Sequence, residues 1–187
     1  MEESKEQMLT NRLRLKEEAA WKELFGAHSR NLTYVCSRYI ISKDDVHDVL
    51  QNSFIKMFGS IDSFEYRGVG SLRAWMSRIV VNESLSYIKR NSDFKLMTDD
   101  FEFPDVSDEE EPDLEEISEL TIMKMVRSLP DGYRTVFNLF VFEQKSHKEI
   151  AGLLGIAENS SASQFHRAKG LLAQKIKEYK MVKKSAI

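Results

Sequence analysis

The feature that most restricts the fold of this 187-residue chain is a long segment that is rich in acidic residues and contains no basic residue. From Asp99 to Glu119 there are 12 Asp and Glu residues and no Lys or Arg. Such a run repels itself and has little apolar surface to bury, so it predicts an extended segment. The preceding part carries 15 basic and 13 acidic residues, and the following part carries 12 and 5. This asymmetry predicts two modules joined by an acidic linker, with boundaries at 1–95, 96–119 and 120–187.

Composition and periodicity favour an all-α fold. Only 3 Pro and 8 Gly occur, too few for the repeated tight turns of a β-sandwich or barrel. Apolar residues recur at helical spacing, and no segment alternates as a strand would. We expect Gly26 and Gly59 to end helices. The predicted helices cover about 1–25, 29–41, 42–58, 71–90, 114–128, 132–143, 146–154 and 160–180.

Several classes of protein are disfavoured by what the sequence contains. The single cysteine, Cys36, excludes an internal disulfide framework, and no Cys/His cluster has zinc-ligand spacing. The longest apolar stretch, Leu139–Phe142, is too short to span a bilayer, and the first residues do not resemble a signal peptide. We therefore expect a cytoplasmic protein without membrane insertion, bound metal or cofactor.

The segment Ser146–Ile156 has the pattern of a helix followed by a tight turn. Ser146 and Glu149 form a capping box, and Gly155 stands where a left-handed C-cap is needed. Asn159-Ser160-Ser161 can cap the next helix. On that helix the apolar residues share one side, and Ser163, His166, Arg167 and Gly170 share the other. This is typical of a helix-turn-helix that reads a major groove, although two helices of an ordinary bundle would show similar periodicity.

Residues 120–180 resemble the promoter-reading C-terminal domain of bacterial sigma factors. The resemblance is to the small extracytoplasmic-function group, and it rests on Leu129-Pro130, Tyr133-Arg134-Thr135-Val136-Phe137, the segment Ser146–Ile156 and His166-Arg167-Ala168. It implies that this helix-turn-helix reads the −35 element. The residues implied to contact −35 DNA are Ser160, Ser163, Gln164, His166 and Arg167. The family's commonest pattern, Gly-Thr-Val-Lys-Ser-Arg, is Asn159-Ser160-Ser161-Ala162-Ser163-Gln164 here, so its promoter preference does not transfer.

The predicted helix 42–58 has a second face away from its apolar stripe. Asp48, Gln51 and Ile55 follow one another at spacings of three and four residues. An exposed isoleucine beside a carboxylate and an amide indicates a partner surface. The segment from Asp48 to Phe54 resembles the sigma-factor motif Asp-x-x-Gln-x-x-Phe, which implies that these three residues bind the clamp of RNA polymerase's largest subunit.

The stretch 64–82 resembles the sigma-factor loop and helix that capture and melt the −10 element. On its helix, Arg78, Asn82 and Lys89 share a narrow sector with Ser71, and these residue types suit phosphates and base edges. The glycine-flanked loop carries aromatic and basic side chains able to hold an unstacked base. The residues implied to contact −10 DNA are Phe64, Tyr66, Arg67, Ser71, Arg78, Asn82 and Lys89.

These patterns together predict a sigma factor of the extracytoplasmic-function group, without an active site of its own. The implied partners are core RNA polymerase, through its clamp and other surfaces, and promoter DNA. An anti-sigma factor is common in the family, although no residue here demonstrates one. A free-standing helix-turn-helix regulator is the main alternative. A carboxylate-based enzyme using Asp44, Asp45, Asp48 and the acidic linker is a remote one, because no convergent His, Ser or Cys accompanies them.

Overall fold

In a computed structural model, which describes residues 4–91 and 117–185, every regular element is helical. The chain divides into two compact units, Met1–Asn91 and Ser92–Ile187. Most of the acidic linker lies outside the described residues, so its extended form and the exact domain boundaries stay predictions. Within the described ranges, no helix is both long and apolar enough to cross a membrane.

The N-terminal unit contains four helices. They are α1 (Lys5–Arg14), α2 (Glu18–Ser37), α3 (Lys43–Ser60) and α4 (Ser71–Asn91), with a 3-10 turn at Ile61–Ser63. α2, α3 and α4 pack against one another in pairs, and α1 packs on α2. Their core buries Leu24, Leu32, Met57, Leu72, Met76 and Val80.

Polar contacts also hold α3 and α4 together. Lys56 of α3 donates a hydrogen bond to Glu83, a carboxylate that is buried on α4. At the other end of α3, a hydrogen bond to Asp45 raises the pKa of the Tyr87 hydroxyl. Asp45 is therefore part of the contact between two helices. Among the described residues, no group of three His, Cys, Asp or Glu side chains is placed to hold a metal ion.

Two expectations about helix ends are wrong. Gly26 lies inside α2 and Gly59 lies inside α3. A helical glycine costs about 1 kcal/mol relative to alanine, and α2 offsets this because its buried stripe continues beyond Gly26 to Leu32 and Val35. The break comes earlier, between α1 and α2, where Lys16 has a left-handed φ of 58°.

Between residues 117 and 185, the C-terminal unit also contains four helices. They are α5 (Glu119–Arg127), α6 (Asp131–Val141), α7 (His147–Leu154) and α8 (Glu158–Ser185). α8 packs against the other three. The core cluster joins Val126, Leu129 and Tyr133 to Ala168 and Leu172 of α8.

Arg134 shows that part of the motif in α6 is structural. Its side chain is buried, and its guanidinium donates to the Leu129 carbonyl at 2.9 Å and to the Asp131 carboxylate at 2.7 Å. A buried charge must be paired and hydrogen-bonded to be tolerated. Arg134 therefore ties the start of α6 to the end of α5.

Candidate nucleic-acid and polymerase interfaces

The α3 surface, defined by Asp48, Gln51 and Ile55, is exposed as predicted. Ile55 is 63% exposed, a high value for a large apolar side chain on a well-packed helix. Ser42 caps α3 by accepting a hydrogen bond from the Asp45 backbone. The cap and the buried positions Val46, Val49 and Met57 fix the rotation of the helix, which turns the α3 surface to solvent.

Gln51 and Ile55 also line a groove between α2 and α3, with a volume of about 940 Å³. Two aromatic pairs form its walls, with ring centroids 5.0 Å apart for Trp21 and Phe58 and 5.1 Å apart for Phe25 and Phe54. Phe58, at an apolar position of α3, is 47% exposed. The sequence did not predict this groove. Trp21 and Phe25 are four residues apart on α2, and Phe54 and Phe58 are four residues apart on α3, a spacing that is equally typical of a buried helix face.

The −10 loop, residues 64–70, connects the 3-10 turn to α4. It borders a cavity of about 450 Å³ lined by Arg67, Trp75 and Arg78 among others. This volume lies within the range of pockets that hold small ligands. The ring of Trp75 lies 5.2 Å from that of Phe64, centroid to centroid. The cavity therefore combines an aromatic wall with two guanidinium groups.

The residues predicted to contact −10 DNA differ in their exposure. Arg67, Arg78, Asn82 and Lys89 are exposed. Ser71 is half-buried, and its hydroxyl is used locally, donating to the Gly68 carbonyl at 2.7 Å. Tyr66 is half-buried, and its hydroxyl lies 2.6 Å from that of Ser4.

Phe64 requires a correction. Only 5% of it is exposed, because its ring packs into the core beside Trp75. Phe64 lines the cavity beside Trp75 but is too buried to present the face of its ring to a nucleic acid. We therefore withdraw it from the predicted DNA contacts.

The C-terminal unit contains the predicted helix-turn-helix, formed by α7 and α8. Ser146 and Glu149 form the capping box of α7, and Gly155 ends this helix with a left-handed φ of 72°. α8 begins at Glu158, so Asn159, Ser160 and Ser161 lie in its first turn instead of capping it. The helix starts earlier than predicted because the turn needs only three residues after Leu154.

The residues predicted to contact −35 DNA also differ in their exposure. Ser163 and His166 are exposed, and Ser160 and Arg167 are half-buried. Gln164 is 7% exposed and faces α6, where a side chain at Gly132 would come within 3.0 Å of its Oε1 atom. Gln164 is thus a packing residue, and its predicted contact with DNA is corrected. The other four positions can reach a nucleic acid.

A polar and aromatic cluster, missed in the sequence, fixes α8 against α7. The Nδ1 atom of His147 lies 3.0 Å from the hydroxyl of Ser161, which is fully buried. The His147 ring stacks on Phe140 at 4.8 Å, and Phe140 lies 4.3 Å from Phe165, centroid to centroid. The cluster therefore sets the angle at which the first turns of α8 leave the domain.

Cys36 lies in the core of the N-terminal unit. Its thiol is buried between Val46 and Ser84, and burial raises its pKa to about 11. A thiol of this kind is a poor nucleophile at neutral pH. Cys36 is therefore a core residue in this structure.

Comparison with known proteins decides the family. The family Sigma-70 region 2 matches residues 24–94, and Sigma-70, region 4, matches residues 115–172. The chain belongs to the sigma-70 family. The two regions occur in the predicted order and together cover well over half of the chain. The predicted family is confirmed, and the alternative of a free-standing regulator is not favoured.

The curated relatives of this sigma factor are similar over nearly its whole length. The ECF RNA polymerase sigma-E factor of Haemophilus influenzae is 28% identical, with 94% of this chain and 97% of the relative covered. The protein of the same name from Escherichia coli K12 is 27% identical, with 94% and 96% covered. These relatives place the chain in the extracytoplasmic-function group and confirm the prediction of a promoter-directing factor.

One solved structure has a more distant resemblance to the chain. It is the sigma factor RpoE from Bartonella quintana, solved in complex with the anti-sigma factor NepR. Sequence identity is 22%, the TM-score is 0.48, and the alignment covers 84% of this chain and 96% of the other.

Proposed function

We propose that this sigma factor binds core RNA polymerase through its α3 surface and recognises promoter DNA through two further surfaces. The exposed face of α4 with the −10 loop binds and melts the −10 element, and the outer face of α8 reads the −35 element. Polymerase performs the chemistry of transcription. An anti-sigma factor stays a prediction, with no residue assigned to it.

The observation that carries this proposal is the position of the α3 surface at the rim of an aromatic groove. Protein interfaces are enriched in aromatic side chains at their centre and are polar at their rim. The groove presents exposed Phe25 and Phe58 beside Ile55, and Gln51 adds a polar side chain to its lining. Asp48 is exposed on α3 one turn before Gln51. This arrangement suits a coiled coil that inserts apolar side chains into the groove while polar groups pair outside it.

Binding to polymerase is tested by substituting Asp48→Ala together with Gln51→Ala. Both side chains are exposed, so the fold should persist, while core binding should weaken about tenfold or more because an interface loses two polar contacts. Co-elution with core polymerase and a titration of holoenzyme formation measure this. The matched control is Glu23→Ala with Asn31→Ala, an acid and an amide exposed on α2 outside the groove. Equal affinity of both double variants would contradict the assignment of the α3 surface.

Promoter melting is tested by Arg78→Ala and Asn82→Ala on α4. These exposed residues lie in the sector that we assign to DNA, so open-complex formation should fall while core binding stays unchanged. Permanganate reactivity of unpaired thymines in the −10 region reports melting. Arg90→Ala removes an exposed cation of the same helix about 100° away from that sector and serves as the control. Thymine reactivity equal to wild type in both test variants would refute this role of α4.

A further inference from the structure

α1 contacts the −10 loop at both ends, although it precedes the residues matched by region 2. At the start of the loop, the Arg14 guanidinium donates to the Phe64 carbonyl. In the middle, the hydroxyls of Ser4 and Tyr66 lie 2.6 Å apart. At its end, the Glu6 carboxylate accepts hydrogen bonds from the Gly70 and Leu72 amides at 2.7 and 2.8 Å.

The Glu6 contact meets a specific need of α4. The first amides of a helix lack partners within the helix, and a side chain just before the helix commonly accepts from them. The residue before α4 is Gly70, which has no side chain, and the Ser71 hydroxyl is directed to the Gly68 carbonyl. The Glu6 carboxylate, from another helix, accepts from the Gly70 and Leu72 amides instead. Its negative charge also suits the N-terminal end of the helix dipole.

Within the −10 loop itself, the buried ring of Phe64 anchors one end. The Ser71 hydroxyl accepts from the Arg67 amide and donates to the Gly68 carbonyl. The loop contains no regular structure between the 3-10 turn and α4. Gly68 and Gly70 have φ values of 119° and 92°, and a side chain at either position would meet nothing within 4 Å. A chain segment with glycines at open positions is held by its hydrogen bonds more than by packing. The contacts from α1 therefore supply much of the order in this loop.

We propose that α1 is a brace that holds the −10 loop in the conformation that captures an unstacked base, with Glu6 as its main positioning residue. The proposal rests on the proposed function of the loop and extends the −10 machinery to residues before the region 2 match. Glu6 does not itself contact DNA. It acts through the backbone of Gly70 and Leu72.

The brace itself is tested by hydrogen exchange on the full chain. Glu6→Gln leaves one acceptor and turns an amide donor toward the second backbone N–H. Exchange of the segment 64–72 should therefore be about tenfold faster, since a hydrogen bond to a charged group is among the stronger ones. The matched control is Glu18→Gln, whose carboxylate pairs with Lys22 within α2 and does not touch α1. Equal exchange in the two variants would overturn the brace.

Its effect on promoter recognition is tested with holoenzyme and a fork-junction DNA library, in which the single-stranded −10 segment is randomised. Sequencing the bound molecules gives the base enrichment at each position. Glu6→Gln should lower the enrichment at one or two −10 positions severalfold, with core affinity unchanged. A parallel loss of core affinity and melting temperature, without a selective loss of enrichment, would show a purely structural role and overturn the proposal.

The same experiment separates this inference from the function on which it rests. If wild-type holoenzyme enriches no base in the −10 segment, both the loop's proposed function and the brace fail. If wild type enriches bases and Glu6→Gln does so equally, only the brace fails. Should Glu6→Gln not fold, Arg14→Gln breaks the contact at the other end of the loop and is judged by the same two outcomes.

Discussion

At the scale of single residues, Ser161 gives this chain a distinct connection between α7 and the recognition helix. The family's commonest pattern has an apolar residue here, whereas Ser161 is a buried hydroxyl 3.0 Å from His147. A buried polar group is costly unless it is paired, so the two residues depend on each other. The geometry of the α8 residues that we propose to face DNA therefore rests on a directional contact as well as on packing.

Among the α8 residues, Arg167 is the one whose substitution we expect to lower transcription most clearly. Arg167→Ala should reduce transcription from −35-dependent promoters about tenfold, because a base-specific guanidinium contact contributes roughly 1–3 kcal/mol. In vitro transcription on promoters with altered −35 sequences measures this. Lys169→Ala is the matched control, since Lys169 lies about 200° around the helix with its amine over the Phe165 ring. Activity that is unchanged on all these promoters would contradict the role of α8.

The exposure of individual residues was the least predictable part of the candidate site. Helical spacing places Arg78 and Asn82 on one face, and both are exposed. It could not show that Phe64 is buried in the wall of a cavity, because a loop residue belongs to no helical period. Nor could it show that Gln164 is buried, because its position is polar in sequence and becomes interior only through the close approach of α6 at Gly132.

At the scale of helices, the predicted caps and the predicted glycine ends were each only partly correct. Ser146 caps α7 as expected and Ser42 caps α3, but the predicted cap at Asn159–Ser161 lies inside α8. Gly155 ends α7 because a left-handed residue is needed there, whereas Gly26 and Gly59 have no such need and stay helical. A glycine therefore predicts a helix end only where the following turn requires positive φ.

The cap of α7 predicts a defined dependence of stability on pH. The pKa of Glu149 is lowered from about 4.5 to about 2. The main cause is the hydrogen bond that its carboxylate accepts from the Ser146 backbone, and the second is the hydrogen bond from the Lys145 side chain. A lowered pKa in the folded state means that this stabilisation is complete above pH 4.5 and is lost as the pH falls toward 2. Glu149→Gln should thus be less stable than wild type at neutral pH, and the difference should shrink on acidification.

Urea unfolding of the full chain between pH 7 and 2.5, followed by a probe in the C-terminal unit, measures this difference. Ser146→Ala removes the reciprocal half of the capping box and should cost about 1 kcal/mol at neutral pH. Glu158→Gln is the matched control, because Glu158 is an acid in the first turn of α8 outside the capping box. A stability difference for Glu149→Gln that stays constant down to pH 2.5 would contradict this account of the cap.

At the scale of the whole molecule, the acidic linker separates two units that each require contact with nucleic acid. Its 12 carboxylates from Asp99 to Glu119 would repel DNA, which is unfavourable for a simple tether in a promoter-binding protein. The resemblance to sigma factors implies that this linker runs toward the active-centre cleft and the RNA exit path of polymerase. A polyanion in that position would resemble RNA in charge, and the growing transcript would have to displace it.

Replacing the segment Asp99–Glu119 by a Gly/Ser sequence of equal length tests whether its charge matters. If the linker resembles RNA, the replacement should weaken holoenzyme and change the ratio of abortive to full-length transcripts at low salt. The effect should decrease at high salt, because the Debye length falls from about 10 Å at 0.1 M to about 3 Å at 1 M. A variant with the same residues in shuffled order is the control and should behave as wild type, since charge and length are retained. A Gly/Ser variant that matches wild type in core affinity and transcript ratio at low salt would show that the linker acts through its length alone.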